Sequence, residues 1–259
     1  MIENRSQLPR AKRIVVKVGS SSISGAGSKL GPLVAAIAKS HGSGTEVILV
    51  TSGAIATGMP LLNIESKPED LATSQALASV GQSRLIARYQ SSLDGFGIIA
   101  GQVLLTADDL EGEETRANAK RAMERLLELR VLPIVNENDT VATAEIRFGD
   151  NDRLAALVAI LIDAEALILL SDIDALYTAP PSTEGAVVID SVDFDDDLSG
   201  IVIGGSDSGV GTGGAITKVS AAKLANSNRI PVLLTSADLV VEALAGNDVG
   251  TWFESKVGS

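Results

Sequence analysis

Residues 14–22 read IVVKVGSSS, a β-branched run that carries one lysine, Lys17, and then enters a glycine–serine turn. Valine and isoleucine favour strands, so the segment predicts a β-strand that ends at the turn. In α/β sheets, ligands bind at the carboxyl ends of the strands. Gly19 lets the backbone approach an anion closely, and the hydroxyl group of Ser20 can donate to a phosphate oxygen. Taken alone, the segment fits a phosphate site and an edge-strand lysine before an ordinary turn equally well.

The rest of the chain alternates short β-branched runs with longer stretches of helical spacing, which is the pattern of βαβ units. The runs VILV at 47–50 and LILL at 167–170 are apolar throughout, as is typical of central strands covered by helices on both faces. We therefore predict an α/β fold, a three-layer αβα sandwich with a mainly parallel central sheet, in a single domain that spans residues 1–259.

The predicted strands are 13–18, 46–50, 98–105, 131–135, 166–170 and 231–234, and the predicted helices are 30–39, 68–93, 115–128, 153–162, 215–226 and 238–245. Residues 177–214 are rich in Gly, Ser, Asp and Pro, which predicts loops and a hairpin. Residues 249–253 are predicted to form a last short strand.

Composition excludes several classes of function. The chain has 21 Lys and Arg against 33 Asp and Glu, a net charge of −12, which argues against a nucleic-acid or anionic-membrane surface. The absence of cysteine excludes disulfides, thiolate zinc sites and a cysteine nucleophile. Residues 1–12 lack the apolar core of a signal peptide, and Asp163 and Glu165 interrupt the apolar stretch 155–170. We therefore predict a cytoplasmic protein without nucleic-acid or membrane partners.

Three further segments place small or polar residues at the ends of predicted strands and helices. VTSGAI at 50–55 leads from a strand into a turn of small residues and then a helix, and amides at a helix N-terminus form an anion site. NENDT at 136–140 and FGDNDR at 148–153 supply carboxylates and amides suited to an α-amino group. The same residue types are common in turns and as helix N-caps. Their density after a buried strand favours a binding site.

Two segments in the second half of the chain suggest nucleotide contacts. LSDIDALY at 170–177 carries carboxylates from a strand into a loop, where they can contact a ribose or a metal-bound phosphate. GVGTGGAITK at 209–218 contains the spacing GxGxxG, but no clear strand precedes it, so a polyphosphate loop is favoured over a dinucleotide site. The alternative is an ordinary surface loop. His41, the single histidine, lies outside every motif and is predicted to be structural.

In this order, these segments resemble the amino acid kinase family, and the resemblance extends over essentially the whole chain. The segments that carry it are VVKVGSS at 15–21, VTSGAIATG at 50–58, ASVGQSRLI at 78–86, GQVLLT at 101–106, LPIVNENDTVATAEIRFGDND at 132–152, LLSDIDALYT at 169–178 and GTGGAITK at 211–218. The members that it resembles most phosphorylate the γ-carboxylate of L-glutamate with ATP, in the first step of proline biosynthesis.

The resemblance implies a role for individual residues. Lys17 and Lys218 correspond to two lysines that flank the transferred phosphoryl group, and Asp152 to the acid that orients them. The implied glutamate-binding residues are Ser52, Gly53, Ala54, Asp139, Asp150 and Asn151. The implied nucleotide-binding residues are Lys17, Gly19, Ser20, Ser171, Asp172, Gly211, Thr212, Gly213, Gly214, Ala215, Ile216, Thr217 and Lys218. Residues 1 to about 165 would form the acid-substrate lobe, and residues from about 166 to 259 the nucleotide lobe.

The resemblance also implies partners. These are ATP, Mg²⁺ bound mainly through the nucleotide phosphates with no protein ligand assigned, proline as a feedback inhibitor, a homo-oligomer and a contact with the next pathway reductase. Three features depart from the family pattern. Ser171 stands where threonine is common, Ala215-Ile216 replaces a more polar pair, and the protein is predicted to lack a C-terminal PUA domain.

Two alternatives stay open. The first is another amino acid kinase whose acceptor is N-acetylglutamate, aspartate, carbamate or a phosphorylated compound. The Asn/Asp-rich region 136–152 favours a free α-amino group over an acetylated one. The second is a non-catalytic amino-acid sensor, which would be expected to lack one of the lysines or a glycine turn, whereas this chain has both.

Overall fold

The lysine-bearing segment forms β1 (Arg13–Val18), a strand in the middle of a parallel sheet. The structure is a computed structural model that describes residues 2–25, 27–141, 151–180, 182–196, 198 and 215–256. Strand β1 pairs with a parallel neighbour on each side, so that Lys17 lies opposite Val50 on one side and Leu169 on the other. The strand is therefore central rather than an edge strand, and its last residues reach the carboxyl edge of the sheet, where ligands bind in such folds.

Ten strands occur in the described part of the chain. After β1 they are β2 (Glu46–Val50), β3 (Ala100–Leu105), β4 (Leu132–Glu137), β5 (Ala166–Ser171), β6 (Leu176–Tyr177), β7 (Val188–Ile189), β8 (Ser191–Val192), β9 (Val232–Ser236) and β10 (Thr251–Phe253). Eight of them form one sheet in the order β3-β4-β2-β1-β5-β9-β10-β8, and β6 pairs with β7 in a separate hairpin. The pairing is parallel throughout the large sheet except between β9 and β10.

The α-helices of the described residues are α1 (Ser20–Ile23), α2 (Leu30–Gly42), α3 (Ala54–Gly58), α4 (Leu71–Asp94), α5 (Ala107–Glu111), α6 (Glu113–Glu128), α7 (Asn151–Leu161), α8 (Ala215–Ser227) and α9 (Val240–Leu244). Short 3₁₀ helices lie at Arg5–Arg10, Pro60–Leu62 and Ala237–Leu239. None of the described helices combines the length and the apolar character that a membrane span requires.

Two apolar clusters cover the two faces of the sheet. Successive side chains of a strand point to opposite faces, and accordingly Val16 packs in one cluster while Val15 packs in the other. The first cluster includes residues of α2, α4 and α9, and the second includes residues of α5, α6, α7 and α8. The result is the predicted three-layer arrangement around a mainly parallel sheet. Lys17, two residues after Val15, lies on the face covered by α7 and α8.

The predicted elements differ from the observed ones mainly at their ends. The helix predicted at 68–93 begins at Leu71 because the side chain of Asp70 caps it, accepting a hydrogen bond from the Thr73 amide at 2.8 Å. The helix predicted at 153–162 begins two residues earlier, at Asn151, and the strand predicted at 98–105 begins at Ala100. The hairpin predicted within 177–214 is present as β6–β7, but residues 199–214 lie outside the described residues.

Candidate active site

A buried ion pair joins the central strand to the first turn of α7. Lys17 is 4% exposed and Asp152 1% exposed, and the ammonium nitrogen of Lys17 lies 2.7 Å from Oδ1 of Asp152. The strand alternation directs Lys17 towards the α7 face, and α7 begins at Asn151, so Asp152 lies at its first turn. An isolated ammonium group buried in this way would be costly, and the carboxylate partner offsets part of that cost.

Helix α8 brings a second ammonium group to the same carboxylate. Nζ of Lys218 lies 3.3 Å from Oδ2 of Asp152, and the hydroxyl group of Thr217 donates to Oδ2 at 3.0 Å. Lys218 is 5% exposed. We call Lys17, Asp152 and Lys218 the two-lysine cluster. Its members come from β1, α7 and α8, so their proximity is a property of the fold and not of sequence spacing.

The two-lysine cluster carries an excess of positive charge. Burial alone would raise the pKa of Asp152, but the charges of Lys17 and Lys218 and the hydrogen bonds from Lys17 and Thr217 outweigh it and hold the pKa below its ordinary value. The carboxylate therefore stays ionised at neutral pH. The three side chains of the cluster together carry one formal positive charge. This charge favours an anionic ligand there.

Two small-residue turns lie beside this charge. A Cβ atom built on Gly19 would lie 4.0 Å from Nζ of Lys17, so the turn after β1 lies directly next to the ammonium group. Gly53 has a φ of 99°, which L-residues rarely adopt, and a Cβ atom on it would lie 3.3 Å from Cβ of Ser20. The turns after β1 and β2 are thus in contact, and they bring Ser52 and the buried Ala54, at the start of α3, to the same edge.

A chain of buried amides lies behind the turn after β2. Nδ2 of Asn151 donates to the carbonyl oxygen of Thr51 at 2.5 Å and to Oδ1 of Asn136 at 2.8 Å. Nδ2 of Asn136 in turn donates to Oε1 of Gln82 at 2.7 Å. We call Gln82, Asn136 and Asn151 the amide relay. The sequence predicted a role for Asn151, but assigned none to Gln82 and included Asn136 only as a member of the 136–140 cluster.

Asp139 lies just beyond the end of β4, half-buried. Burial raises the pKa of its carboxyl group to about 7, and the neighbouring negative charge of Glu137 adds to the effect. The group therefore changes its charge near neutral pH in the protein without ligand. A cation bound next to it would restore the ionised form, so the side chain suits an ammonium group.

Strand β5 neighbours β1 on the side opposite to β2 and β4, and it carries predicted nucleotide residues, as does α8. Ser171 is the buried last residue of β5, and its hydroxyl group donates to Oδ1 of the exposed Asp172 at 3.0 Å. Ala215 and Ile216 open α8, and the side chain of Ile216 is exposed. The remaining predicted site residues lie outside the described residues, and these are Asp150, Gly211, Thr212, Gly213 and Gly214.

A close helix contact fixes the turn after β2 against α4. A Cβ atom on Gly81 would lie 1.8 Å from the carbonyl oxygen of Ala54, and one on Gly58 would lie 2.1 Å from that of Leu77. Neither glycine can be replaced without moving backbone. Glycine at these two positions therefore allows α3 and α4 to touch. The pattern carries no motif by itself, which is why the sequence did not single it out.

No group of three or more His, Asp or Glu side chains suited to holding a metal ion occurs among the described residues. His41 is buried at the end of α2, where its Nε2 lies 3.2 Å from the carbonyl oxygen of Arg130. Burial and the charge of Arg130 lower the pKa of its imidazole. This contact between α2 and the segment before β4 agrees with the predicted structural role.

Comparison with known proteins identifies the family. A sequence model described as the amino acid kinase family matches residues 12–236, which is most of the chain. The chain belongs to the amino acid kinase family. The fold agrees, since carbamate kinase from Giardia lamblia bound to AMP-PNP superposes with a TM-score of 0.69 over 96% of this chain and 100% of that one, at 14% identity. UMP kinase from Bacillus anthracis gives 0.63 over 95% and 97%, at 13% identity.

Three relatives at much higher identity are each named glutamate 5-kinase. A protein named glutamate 5-kinase from Leifsonia xyli subsp. xyli is 63% identical over 97% of this chain and 94% of its own length. Another with that name, from Clavibacter sepedonicus, is 64% identical over 96% of this chain and 97% of its own length. A third, from Salinispora arenicola, is 52% identical over 96% of this chain but 69% of its own length.

Proposed function

We propose that this protein is a glutamate 5-kinase, which transfers the γ-phosphoryl group of ATP to the γ-carboxylate of L-glutamate and yields glutamyl 5-phosphate, the first step of proline biosynthesis. The observation that carries the proposal is the two-lysine cluster, in which Lys17 and Lys218 hold opposite oxygens of the buried Asp152. The relatives named glutamate 5-kinase, at 63% and 64% identity over nearly the whole chain, support glutamate as the acceptor.

The chemistry requires charge and position more than proton transfer. A γ-carboxyl group with an ordinary pKa of about 4.3 is ionised at neutral pH, so it can attack phosphorus without a general base. The difficulty is that one anion must approach another. Lys17 and Lys218 lower this barrier by placing positive charge around the phosphoryl group while it is transferred. Because both ammonium groups are buried, water screens them little, and their effect on a bound phosphate is strong.

Asp152 has a positioning role in this proposal. Its carboxylate contacts both lysines and the hydroxyl group of Thr217, so it fixes the two ammonium groups before substrates bind. Preorganised donors of this kind need no rearrangement during the reaction. Its low pKa keeps the carboxylate ionised throughout the physiological range.

The substrates would lie on the two sides of β1. We place glutamate at the ends of β2 and β4, where the turn of Ser52, Gly53 and Ala54, the carboxyl group of Asp139 and the amide of Asn151 provide donors and acceptors, together with Asp150. We place ATP at the ends of β1 and β5, with the turn of Gly19 and Ser20 towards its phosphates. Further nucleotide contacts would come from Ser171, Asp172 and residues 211–218. When bound, Mg²⁺ would be held mainly by the nucleotide phosphates and would neutralise part of their charge.

Further properties remain predictions from the family resemblance. These are feedback inhibition by proline, a homo-oligomer, a contact with the reductase that consumes the product, and a cytoplasmic location. The division into lobes at about residue 165 also remains a prediction.

The acceptor is tested by trapping the acyl phosphate. The purified protein is incubated with Mg-ATP and hydroxylamine, with L-glutamate, N-acetyl-L-glutamate and L-aspartate in separate reactions, and hydroxamate is measured. We expect hydroxamate from L-glutamate alone, and none when ATP is omitted. A preference for another acid would reassign the substrate within the family. Absence of product with every acid, from protein that binds glutamate, would favour a sensor.

A further inference from the structure

Hydrogen-bond chemistry gives the amide relay one direction. The carbonyl oxygen of Thr51 can only accept, so Asn151 must turn its amino group, Nδ2, towards it. The second N–H of that group donates to Oδ1 of Asn136, which leaves the amino group of Asn136 facing Gln82. Oε1 of Gln82 accepts this last hydrogen bond. Each of the three amides therefore has a defined orientation, set at one end by a backbone carbonyl and at the other by Gln82.

The direction of the relay leaves one acceptor unused. Both N–H groups of Asn151 are engaged, and its Oδ1 is buried and accepts no hydrogen bond from the described residues. Asn151 as a whole is 3% exposed. Buried polar atoms are nearly always hydrogen-bonded, so an unsatisfied one next to a site indicates a donor supplied by a ligand. The group that suits it is an N–H donor with a positive charge, because charge-assisted hydrogen bonds are the stronger ones.

We propose that Gln82 is a positioning residue for the α-ammonium group of the acceptor substrate. Gln82 holds Asn136 with its Oδ1 towards Nδ2 of Asn151. It thereby adds to the Thr51 carbonyl in keeping Oδ1 of Asn151, and not Nδ2, towards the substrate. The reversed amide would present a donor to the ammonium group and repel it. This inference rests on the proposed function, since it takes the acceptor to be an α-amino acid. It makes Gln82 a determinant of glutamate affinity although the residue need not contact the substrate.

Helix α4 supports both ends of the relay, which explains how the orientation persists. Gln82 follows Gly81, whose contact with Ala54 presses α4 against the turn after β2. Two turns further along α4, the hydroxyl group of the buried Tyr89 lies 2.8 Å from Oγ1 of Thr51. Thr51 is the residue whose carbonyl oxygen orients Asn151 at the other end of the amide relay. The anchor and the final acceptor are thus held by one helix, and a movement of Asn136 relative to Asn151 is restricted.

The test compares substrates with and without the ammonium group. Gln82→Met keeps the length of the side chain and removes the acceptor, and Gln82→Ala removes it without new bulk. In both variants we expect the KM for glutamate to rise about tenfold or more, the effect of one lost hydrogen bond to a charged group, with kcat and the KM for ATP changed less than about twofold. Gln82→Glu, which keeps an acceptor oxygen whether or not it is ionised, should restore most of the glutamate affinity.

Glutarate, which has the γ-carboxylate but no α-ammonium group, separates positioning from general damage. Its KM should be high for the parent protein and should not rise further in Gln82→Met. The matched control is Gln90→Met, which removes the hydrogen bonds of a glutamine on the same helix away from the relay and should leave both KM values unchanged. An unchanged glutamate KM in Gln82→Met, or an equal rise for glutarate and glutamate, would overturn the role of Gln82. No turnover of glutamate by the parent protein would instead overturn the proposed function, and this inference with it.

Discussion

Lys17 and Lys218 approach opposite oxygens of one carboxylate, at 2.7 Å from Oδ1 and 3.3 Å from Oδ2 of Asp152, and all three side chains are buried. The two lysines are separated by most of the chain and belong to the central strand and to α8. Two ammonium groups held by one carboxylate are suited to bind a further anion. In the proposed reaction, that anion is the phosphoryl group in transfer.

Replacing Lys17 by methionine removes one of these charges and keeps the apolar part of the side chain. We expect turnover of glutamate to fall by about two to three orders of magnitude, the cost of about 3–4 kcal/mol that follows loss of one preorganised donor. Lys218 still pairs with Asp152 in this variant, so the fold should be kept. Steady-state hydroxamate formation measures the effect, with far-UV circular dichroism as the check on folding.

Lys120→Met is the control for this substitution. Lys120 forms an exposed ion pair with Asp163 at 2.6 Å and is not a member of the two-lysine cluster. Exposed ion pairs contribute little to stability. Its turnover should equal that of the parent protein. Near-normal turnover in Lys17→Met would contradict the assignment of Lys17.

Asp152→Asn should lower the free energy of unfolding and increase the stabilisation that bound nucleotide provides. The substitution removes a carboxylate that pairs with two buried ammonium groups, and removing one partner of a buried ion pair typically costs about 3–5 kcal/mol. Bound MgADP supplies negative charge in its place, so its stabilising effect should be larger in the variant than in the parent protein. Urea unfolding with and without MgADP measures both effects. Asp163→Asn, which breaks only the exposed pair with Lys120, should change stability by less than about 1 kcal/mol.

The affinity for glutamate should depend on pH through Asp139. Burial raises the pKa of this carboxyl group to about 7 in the free protein, and only the ionised form attracts the substrate ammonium group. Below this pKa the group is neutral, so kcat/KM for glutamate should rise about tenfold from pH 6 to pH 8 and then level off. Asp139→Asn should lower kcat/KM and remove the rise. The same pH dependence in the variant and in the parent protein would assign the titration to another group.

Gly81→Ala should loosen the contact between α3 and α4. The added methyl group would overlap the carbonyl oxygen of Ala54, so we expect a loss of about 1–3 kcal/mol in unfolding free energy and a raised KM for glutamate. Gly31→Ala is the matched control, because Gly31 is an exposed helical glycine with open space around it. That variant should be stabilised by about 0.5–1 kcal/mol. Equal stability changes in the two variants would contradict the close contact.

The sequence predicted the layers of the fold well because they follow from hydrophobic patterning. Runs such as 47–50 are apolar on both faces, and this identified β2 as a central strand with its observed bounds. The bounds of α7 were less accurate, since Asn151 and Asp152 resemble turn residues and only their burial in the folded chain shows that they open the helix. The end of a helix depends on caps and packing that the pattern does not contain.

The candidate site was predictable in part. The strand–turn pattern of residues 14–22 indicated an anion site at Lys17, but its partners Asp152 and Lys218 came from the family resemblance, since no local spacing relates them. Gln82 and Gly81 had no signal of their own within the segment 78–86. Their roles depend on contacts with Asn136 and Ala54, which are distant in sequence and meet only through the packing of α4.

The most direct test of the central claim follows the oxygen atoms of glutamate. L-Glutamate labelled with ¹⁸O in both γ-carboxylate oxygens is incubated with the protein, Mg-ATP and hydroxylamine, and the released phosphate is examined by ³¹P NMR. Attack of the γ-carboxylate on the γ-phosphorus makes one labelled oxygen the bridge, and hydroxylamine then attacks the acyl carbon, so this oxygen leaves with phosphate. We predict one ¹⁸O atom in each phosphate ion released. Phosphate released at the same rate without label would show that water, and not glutamate, is the acceptor, and would contradict the account.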